Sequence, residues 1–166
     1  MKKKLIAVLL ALLCLSAVAC KPKDDAKSGK EYIFQYGNVD IKVGGKAAPV
    51  LEALKGKEPT VSSKASCLSG EDGEDVTYVY GGFRIETFRL KEGDADEQIR
   101  RVVFLDDSVV TKEGVTVGAT VQKVKDTYGT PSDETAYRID YNGKGMCLRF
   151  TLRDGTVTGV SYEVAE

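Results

Sequence analysis

The chain has 166 residues, with 24 basic and 25 acidic side chains and a net charge of −1 at pH 7. It contains no histidine, which excludes Ser-His-Asp and Cys-His catalytic sites and removes the commonest zinc ligand. The basic residues are spread along the sequence, which argues against nucleic-acid binding, since that requires a concentrated basic patch.

The first 19 residues have the layout of a bacterial lipoprotein signal peptide. The basic segment Lys2–Lys4 precedes the apolar run Leu5–Leu15, and small residues then lead directly to Cys20. A transmembrane helix needs about 20 apolar residues, so this shorter run favours a cleaved signal. We therefore expect Cys20 to be acylated and to anchor the mature chain on the extracytoplasmic face of the cell membrane. An ordinary secretory signal ending at Ala17-Val18-Ala19 is the alternative.

Residues 20–30 are predicted to form a flexible tether after the lipidated cysteine. They include no large apolar residue, so they cannot bury enough surface to offset the entropy lost on ordering. Cleavage leaves 166 − 19 = 147 residues and removes three lysines but no acid, which gives a mature charge of 21 − 25 = −4. This length suits one compact domain or two small repeats.

The rest of the chain contains two similar segments, which we assign to residues 31–110 and 111–166. Ile41–Gly44 is echoed by Val115–Gly118 at an offset of 118 − 44 = 74 residues. Apolar residues at helical spacing follow in each segment, and Gly and Pro then end the predicted helix. The pattern predicts an α+β fold. It would be a tandem repeat of a helix plus an antiparallel β-meander, with the helices packed on one face of a sheet.

Helices and strands are assigned from the period of the apolar residues. The helices are predicted around Ala47–Leu54 and Val121–Tyr128. The predicted strands are Tyr32–Tyr36, Val39–Val43, Val61–Leu68, Val76–Tyr80, Phe83–Leu90, Ile99–Leu105, Thr135–Tyr141, Met146–Leu152 and Val157–Val164.

One stretch of the second segment resembles the signature of small envelope lipoproteins. Glu113–Gly118, followed by Val124 and Tyr128–Pro131, is similar to the pattern G-I-x-x-G-x-T/S, V, Y/F-G-x-P. That pattern occurs in the β-lactamase-inhibitor-protein-like fold and in outer-membrane assembly lipoproteins of the SmpA/OmlA type. The resemblance implies a sheet whose open face engages another protein. These residues do not carry the inhibitory contacts, so none is assigned.

Other residues resemble a group of lipoproteins from Gram-positive, Firmicutes-type anaerobes. They are Ser66, Cys67, Tyr78–Phe83, Thr87 and Asp106–Val109. Together the two resemblances cover about Ile41–Val164. They imply a cellular location and a fold but no specific activity.

Cys67 and Cys147 remain in the mature chain besides Cys20. An even pair in an exported protein suggests a disulfide, and two buried thiols are the alternative. The inhibitor-like repeats tend to carry a disulfide within each repeat, whereas each segment here has a single cysteine. The resemblance therefore implies a bond between the segments, if one forms.

The sequence predicts no catalytic residue, no cofactor and no metal site. Glu71–Asp75 is acidic, as are Asp94 and Asp96, but neither segment shows the complete ligand pattern that calcium needs. Asp106 and Asp107 are adjacent, and neighbouring side chains of a strand point to opposite faces, which is poor geometry for shared acid–base chemistry.

Aromatic and arginine side chains on the strands are the candidates for a binding surface, because both are favoured at protein interfaces. Simple sheet formation is the alternative for the aromatic ones. The candidate interface residues are Tyr78, Tyr80, Phe83, Arg84, Arg89, Tyr137, Tyr141 and Arg149.

The sequence as a whole favours a membrane-anchored, non-catalytic protein-binding or scaffold module. Its partner would be a protein of the cell envelope rather than a nucleic acid. Three alternatives stay open: a protein inhibitor of a secreted or envelope hydrolase, a small-ligand or metal-binding sensor, and a hydrolase built on carboxylates.

Overall fold

The computed structural model describes residues 29–66, 73–90 and 96–165. The predicted signal peptide, Cys20, nearly all of the predicted tether and Cys67 lie outside these residues. No helix in the described ranges has both the length and the apolar character needed to cross a membrane.

The described chain forms ten strands, two α-helices and one 3₁₀ turn. Their order is β1 Phe34–Tyr36, β2 Val39–Ile41, α1 Ala47–Ala53, the 3₁₀ turn Lys55–Lys57, β3 Thr60–Ala65, β4 Gly73–Val79, β5 Phe83–Leu90, β6 Gln98–Phe104, α2 Val121–Tyr128, β7 Asp133–Glu134, β8 Arg138–Gly143, β9 Met146–Arg153 and β10 Thr156–Val164.

Eight of the strands form a single antiparallel sheet in the order β3-β4-β5-β6-β10-β9-β8-β7, while β1 and β2 form a separate hairpin. The pairing of β6 with β10 joins the first four strands to the last four. It comprises three residue pairs: Val103 with Ser161, Val102 with Tyr162, and Arg101 with Glu163. We call this pairing the seam.

The predicted α+β class, a tandem repeat with helices packed on one face of the sheet, is wrong. Of the described residues, 48% are in strands and 14% are helical, and the α-helices have only 7 and 8 residues. They contribute Ala47, Val50 and Val124 to the buried set. Helices of about two turns contribute few side chains to a core, so residues of the strands make up most of it. The seam joins these strands into one sheet.

Several element positions nevertheless follow the sequence pattern. Helix α2 and strand β5 have the predicted bounds, and β9 and β10 differ from prediction by one residue at one end. Predicted strand Thr135–Tyr141 begins too early, because β8 starts at Arg138 and β7 ends at Glu134. Apolar periodicity therefore locates the elements but not their pairing.

The core lies on one face of the sheet and is centred on Phe34 of the β1–β2 hairpin. Its ring centroid is 5.0 Å from that of Phe83, 4.9 Å from Phe104 and 6.0 Å from Tyr162. These side chains come from β5, β6 and β10, so Phe34 packs directly over the seam. All four are at most 3% exposed, and tilted or edge-to-face contacts of this kind add to the stabilisation from buried area.

The chain enters the domain beside the turn between β8 and β9. The Lys144 N–H donates to the Lys30 carbonyl at 3.3 Å, and the Tyr32 N–H donates to Met146 Sδ at 3.3 Å. A Cβ on Gly29 would lie 2.9 Å from the Gly143 carbonyl carbon, and a Cβ on Gly143 would overlap the Lys30 carbonyl oxygen. Glycine at both positions therefore lets the two backbones cross.

We expect Gly143→Ala to lower the free energy of unfolding by about 1–3 kcal/mol, the usual cost of forcing extra atoms into a packed site. Gly56→Ala is the matched control, because a Cβ there meets no atom within 4 Å. Urea unfolding of both variants measures the difference. Equal stability of Gly143→Ala and the parent chain would show that the crossing is not tightly packed.

Candidate functional site

The face of the sheet opposite the core carries charged side chains from six strands. They are Arg84 and Glu86 of β5, Arg101 of β6, Glu163 of β10, Arg149 of β9, Asp140 and Arg138 of β8, and Asp133 of β7. We call this set the charge ladder, because successive members alternate in sign. Its ion pairs link the strands to one another, and the exposed side-chain fraction runs from 7% for Asp140 to 51% for Asp133. Solvent therefore reaches this face.

Arg149 is the centre of the ladder. Its Nε and Nη2 each donate to one carboxylate oxygen of Asp140 at 2.9 Å, and its Nη1 donates to Glu163 Oε2 at 2.9 Å. The hydrogen bonds to Asp140 raise the pKa of Arg149 above its usual value. Bidentate, charge-assisted bonds of this kind are strong and fix the guanidinium plane.

The ladder crosses the seam through Glu163. Its Oε1 lies 3.3 Å from Arg101 Nε, and Arg101 Nη1 lies 3.4 Å from Glu86 Oε2. Glu86 also accepts from Arg84 Nε at 2.6 Å. At the other end, Arg138 pairs with Asp140 at 3.4 Å and with Asp133 at 2.7 Å. One connected set of eight charges thus spans both halves of the sheet.

A groove of about 550 Å³ opens on this face beside the end of β10. Its charged lining residues are Lys64, Asp75, Glu86, Arg100, Arg101 and Glu163. A β-bulge shapes it, because Glu86 pairs with Arg101 while Thr87 pairs with Ile99, which leaves Arg100 as an extra residue. Consecutive arginines therefore both border the groove, whereas regular alternation would separate them.

The cations of the groove differ in how they are neutralised. Arg101 lies between the carboxylates of Glu86 and Glu163. Arg100 instead lies over the ring of Phe88, 5.3 Å from its centroid. In the described parts of the chain, neither Arg100 nor Lys64 forms an ion pair, so both retain the capacity to bind a carboxylate.

Three of the predicted interface residues belong to the core and do not form a surface. Tyr80 is 5% exposed and stacks on Phe83, which is fully buried, at 4.9 Å between centroids. Tyr141 is 2% exposed, and its hydroxyl donates to the Gly129 carbonyl at 3.0 Å. The interface prediction is wrong for these residues, because strand alternation turns their rings to the covered face.

The other five predicted residues are scattered. The Tyr78 hydroxyl donates to Glu97 Oε1 at 2.9 Å, and burial together with this bond raises its pKa to about 12. Arg89 pairs with Glu74 at 2.6 Å, and Tyr137, 76% exposed, lies between β7 and β8. Only Arg84 and Arg149 belong to one connected network, the charge ladder. Sequence reasoning missed the other six members of the ladder, because their partners depend on strand pairing: Glu86, Arg101, Glu163, Asp140, Arg138 and Asp133.

Cys147 faces the same side of the sheet, in β9. It is 8% exposed and has no disulfide partner among the described residues, and burial raises the pKa of its thiol to about 11, with the Asp140 charge adding to the effect. Such a thiol is protonated at neutral pH and weakly reactive. Cys67 lies outside the described residues, so the Cys67–Cys147 bond stays a prediction.

Carboxylates in the described ranges show no arrangement typical of metal binding, since no group of three or more His, Cys, Asp or Glu side chains could hold an ion there. Within the described ranges, the pKa values of Glu31, Asp106 and Asp133 are lowered. The causes are hydrogen bonds from Lys42 to Glu31, from Ser108 to Asp106 and from Arg138 to Asp133.

Comparison of the chain with protein-family models, with curated proteins and with solved structures finds no match. Its resemblance to envelope lipoproteins therefore stays a prediction from the sequence.

We expect Asp140→Ala to lower the free energy of unfolding by about 1–3 kcal/mol, because it leaves the partly buried Arg149 without its bidentate partner. Asp133→Ala removes a carboxylate from the exposed end of the same ladder, and we expect a clearly smaller loss, because solvent-exposed ion pairs contribute little to stability. Urea unfolding of the two variants checks the difference. If both cost the same, Arg149 is not the centre of the network.

Proposed function

We propose that the chain is a lipid-anchored, non-catalytic protein-binding module of the cell envelope. It presents the charged face of its sheet to a partner protein. The observation that carries this proposal is the charge ladder, whose eight side chains are held in fixed positions across six strands.

The ladder favours a folded protein as the partner. A nucleic acid or another polyanion selects surfaces of one sign, whereas alternating charges match a surface with the complementary pattern. Such complementarity sets the register and specificity of an interface more than its affinity. Because each ladder side chain already has a fixed partner, binding requires less ordering of side chains.

The groove supplies the attachment point for acidic residues of the partner. Arg101 is neutralised by Glu86 and Glu163, while Lys64 and Arg100 have no ion pair among the described residues. Arginine is a favoured anchor at interfaces, and its planar guanidinium binds carboxylates in a bidentate manner. The contact of Arg100 with the ring of Phe88 restrains its guanidinium, and Arg100 itself lines the groove.

The anchor in this proposal is Cys20, acylated after signal cleavage. Two acyl chains give stable membrane attachment where one is marginal. Residues 20–28 number 28 − 20 + 1 = 9 before Gly29, and nine extended residues span at most about 30 Å. The domain, and with it the charged face, would therefore remain close to the membrane surface, where envelope partners are concentrated.

We expect reversal of the two unpaired cations, in the double variant Lys64→Glu/Arg100→Glu, to weaken capture of the partner at least tenfold. The full-length tagged chain is expressed in its own host, crosslinked in cells and purified, and captured proteins are quantified by mass spectrometry. Lys123→Glu is the matched control. It reverses an exposed charge on α2, a helix that contributes no residue to the lining of the groove, and we expect it to capture the same protein as the parent chain.

Cys20→Ala provides the control for the anchor. We expect this variant to leave the membrane fraction and to capture less of the same partner. Capture of identical proteins in equal amounts by the parent chain and by Lys64→Glu/Arg100→Glu would contradict the proposed surface. Capture of no dominant envelope protein by the parent chain would contradict the binding function itself.

A further inference from the structure

The two edges of the eight-stranded sheet are built differently. Strand β7, at one edge, has only the residues Asp133 and Glu134, both acidic. Strand β3, at the other edge, spans Thr60–Ala65, and all six of its residues are exposed. A strand of that length at an open edge is a template for pairing with another strand, whereas two acidic residues are not.

The register of β3 shows which backbone groups face outward. The Ser66 N–H donates to the carbonyl of Gly73, its partner on β4, at 2.9 Å. Lys64 and Ser62 lie two and four residues before Ser66, opposite Asp75 and Thr77, so they also form hydrogen-bonded pairs with β4. Residues at these positions direct their backbone groups to β4.

The alternate residues of β3 direct their backbone N–H and C=O groups away from the sheet. They are Val61, Ser63 and Ala65. The described residues supply no backbone partner for these three, and the Val61 side chain is 53% exposed. The edge therefore presents three consecutive outward-facing donor–acceptor positions together with an exposed apolar side chain.

We propose that β3 pairs with β3 of a second copy of this chain. The two strands would run antiparallel about a two-fold axis at Ser63, which joins the sheets into one of 8 + 8 = 16 strands. In this register Ser63 faces Ser63 of the other copy, and each Val61 faces an Ala65. Each of these three pairs exchanges two backbone hydrogen bonds, and the exposed Val61 side chain gains an apolar neighbour.

Lys64, the one charged residue of β3, selects this register. Centring the axis on Lys64 would place two ammonium groups directly opposite, which is destabilising. Centring it on Ser62 would set Ala65 against Pro59, which has no N–H to donate. With the axis at Ser63, each Lys64 faces a Ser62, and like charges are not opposed.

The difference between the edges argues for a second copy rather than a longer assembly. Pairing of β3 with itself is isologous, so it uses the same surface on both molecules and closes at two. The remaining edges are then the two β7 strands, too short and too acidic to continue the sheet. This pairing uses the β3 edge only and does not depend on the proposed function of the charged face.

Disulfide crosslinking in cells tests the pairing on the full-length, membrane-targeted chain. All variants carry Cys67→Ser and Cys147→Ser, so that the introduced thiol is the one under test. Facing residues of a hydrogen-bonded antiparallel pair have Cα atoms about 5.5 Å apart, within the range that a disulfide can bridge. We therefore expect Ser63→Cys to give a band of doubled mass after mild oxidation.

The register supplies matched controls. Two copies of Val61 are four residues apart along the paired strands, about 13 Å, so Val61→Cys alone should crosslink at least tenfold less than Ser63→Cys. Coexpression of Val61→Cys with Ala65→Cys should restore the crosslinked band. Thr158→Cys, at an exposed position of β10, reports random collision on the membrane.

Ser63→Pro provides a disruption that spares the fold. Its N–H points away from β4, so proline is tolerated there as at other edge positions. Added to the Val61→Cys and Ala65→Cys pair, it should abolish the crosslink while the chain keeps a cooperative thermal unfolding transition, because the one side-chain hydrogen bond it removes, from Ser63 Oγ to Glu74, is exposed. The proposal is overturned if Ser63→Cys gives no dimer, if Val61→Cys alone crosslinks equally well, or if Ser63→Cys links instead to a different protein.

Discussion

The seam between β6 and β10 is the contact on which the rest of the structure depends. The Leu105 N–H donates to the Gly82 carbonyl and the Ala165 N–H to the Gly145 carbonyl, and this phase directs the backbone groups of Val102 and Tyr162 toward each other. The two groups of four strands are therefore held together by only three residue pairs, of which the central pair exchanges two backbone hydrogen bonds. Side chains reinforce it on both faces: Phe34 packs on Phe104 and Tyr162 on the inner side, and Glu163 links Arg101 to Arg149 on the outer side.

The seam also makes the charged face continuous. Without it, Arg84, Glu86 and Arg101 would form one small cluster and Arg149, Asp140 and Arg138 another. Glu163 connects the two, so a partner would meet one ordered surface. The groove lies at the side of β10, and its Lys64 and Arg100 form no ion pair with any described residue. The same face gains little stability from its exposed pairs, since each contributes at most about 1 kcal/mol. Its value lies in fixing side-chain positions, which suits recognition better than stability.

The sequence predicted what depends on local pattern and missed what depends on pairing. Helix α2 and strand β5 have the predicted bounds, because their apolar residues repeat with a clear period over the whole element. The α+β repeat was wrong because nothing in that period shows that β6 and β10 pair, nor that two short helices would bury so little. Tyr80, Phe83 and Tyr141 were assigned to a surface because alternation separates two faces without showing which one is covered. The core face is covered by Phe34 and its neighbours, which are far from these residues in the sequence. The ladder was missed for the same reason: Glu163 meets Arg101 and Arg149 only after three strands align.

Amide hydrogen exchange at Val102 and Tyr162 tests the seam most directly. If the eight strands form one cooperative sheet, both amides exchange only through global unfolding, with the same free energy as the amides of Ile85 in β5 and Leu148 in β9. If Val102 and Tyr162 exchange at a clearly lower free energy while Ile85 and Leu148 stay protected, the two halves separate in the native state. The continuous charged face would then not exist as a fixed surface.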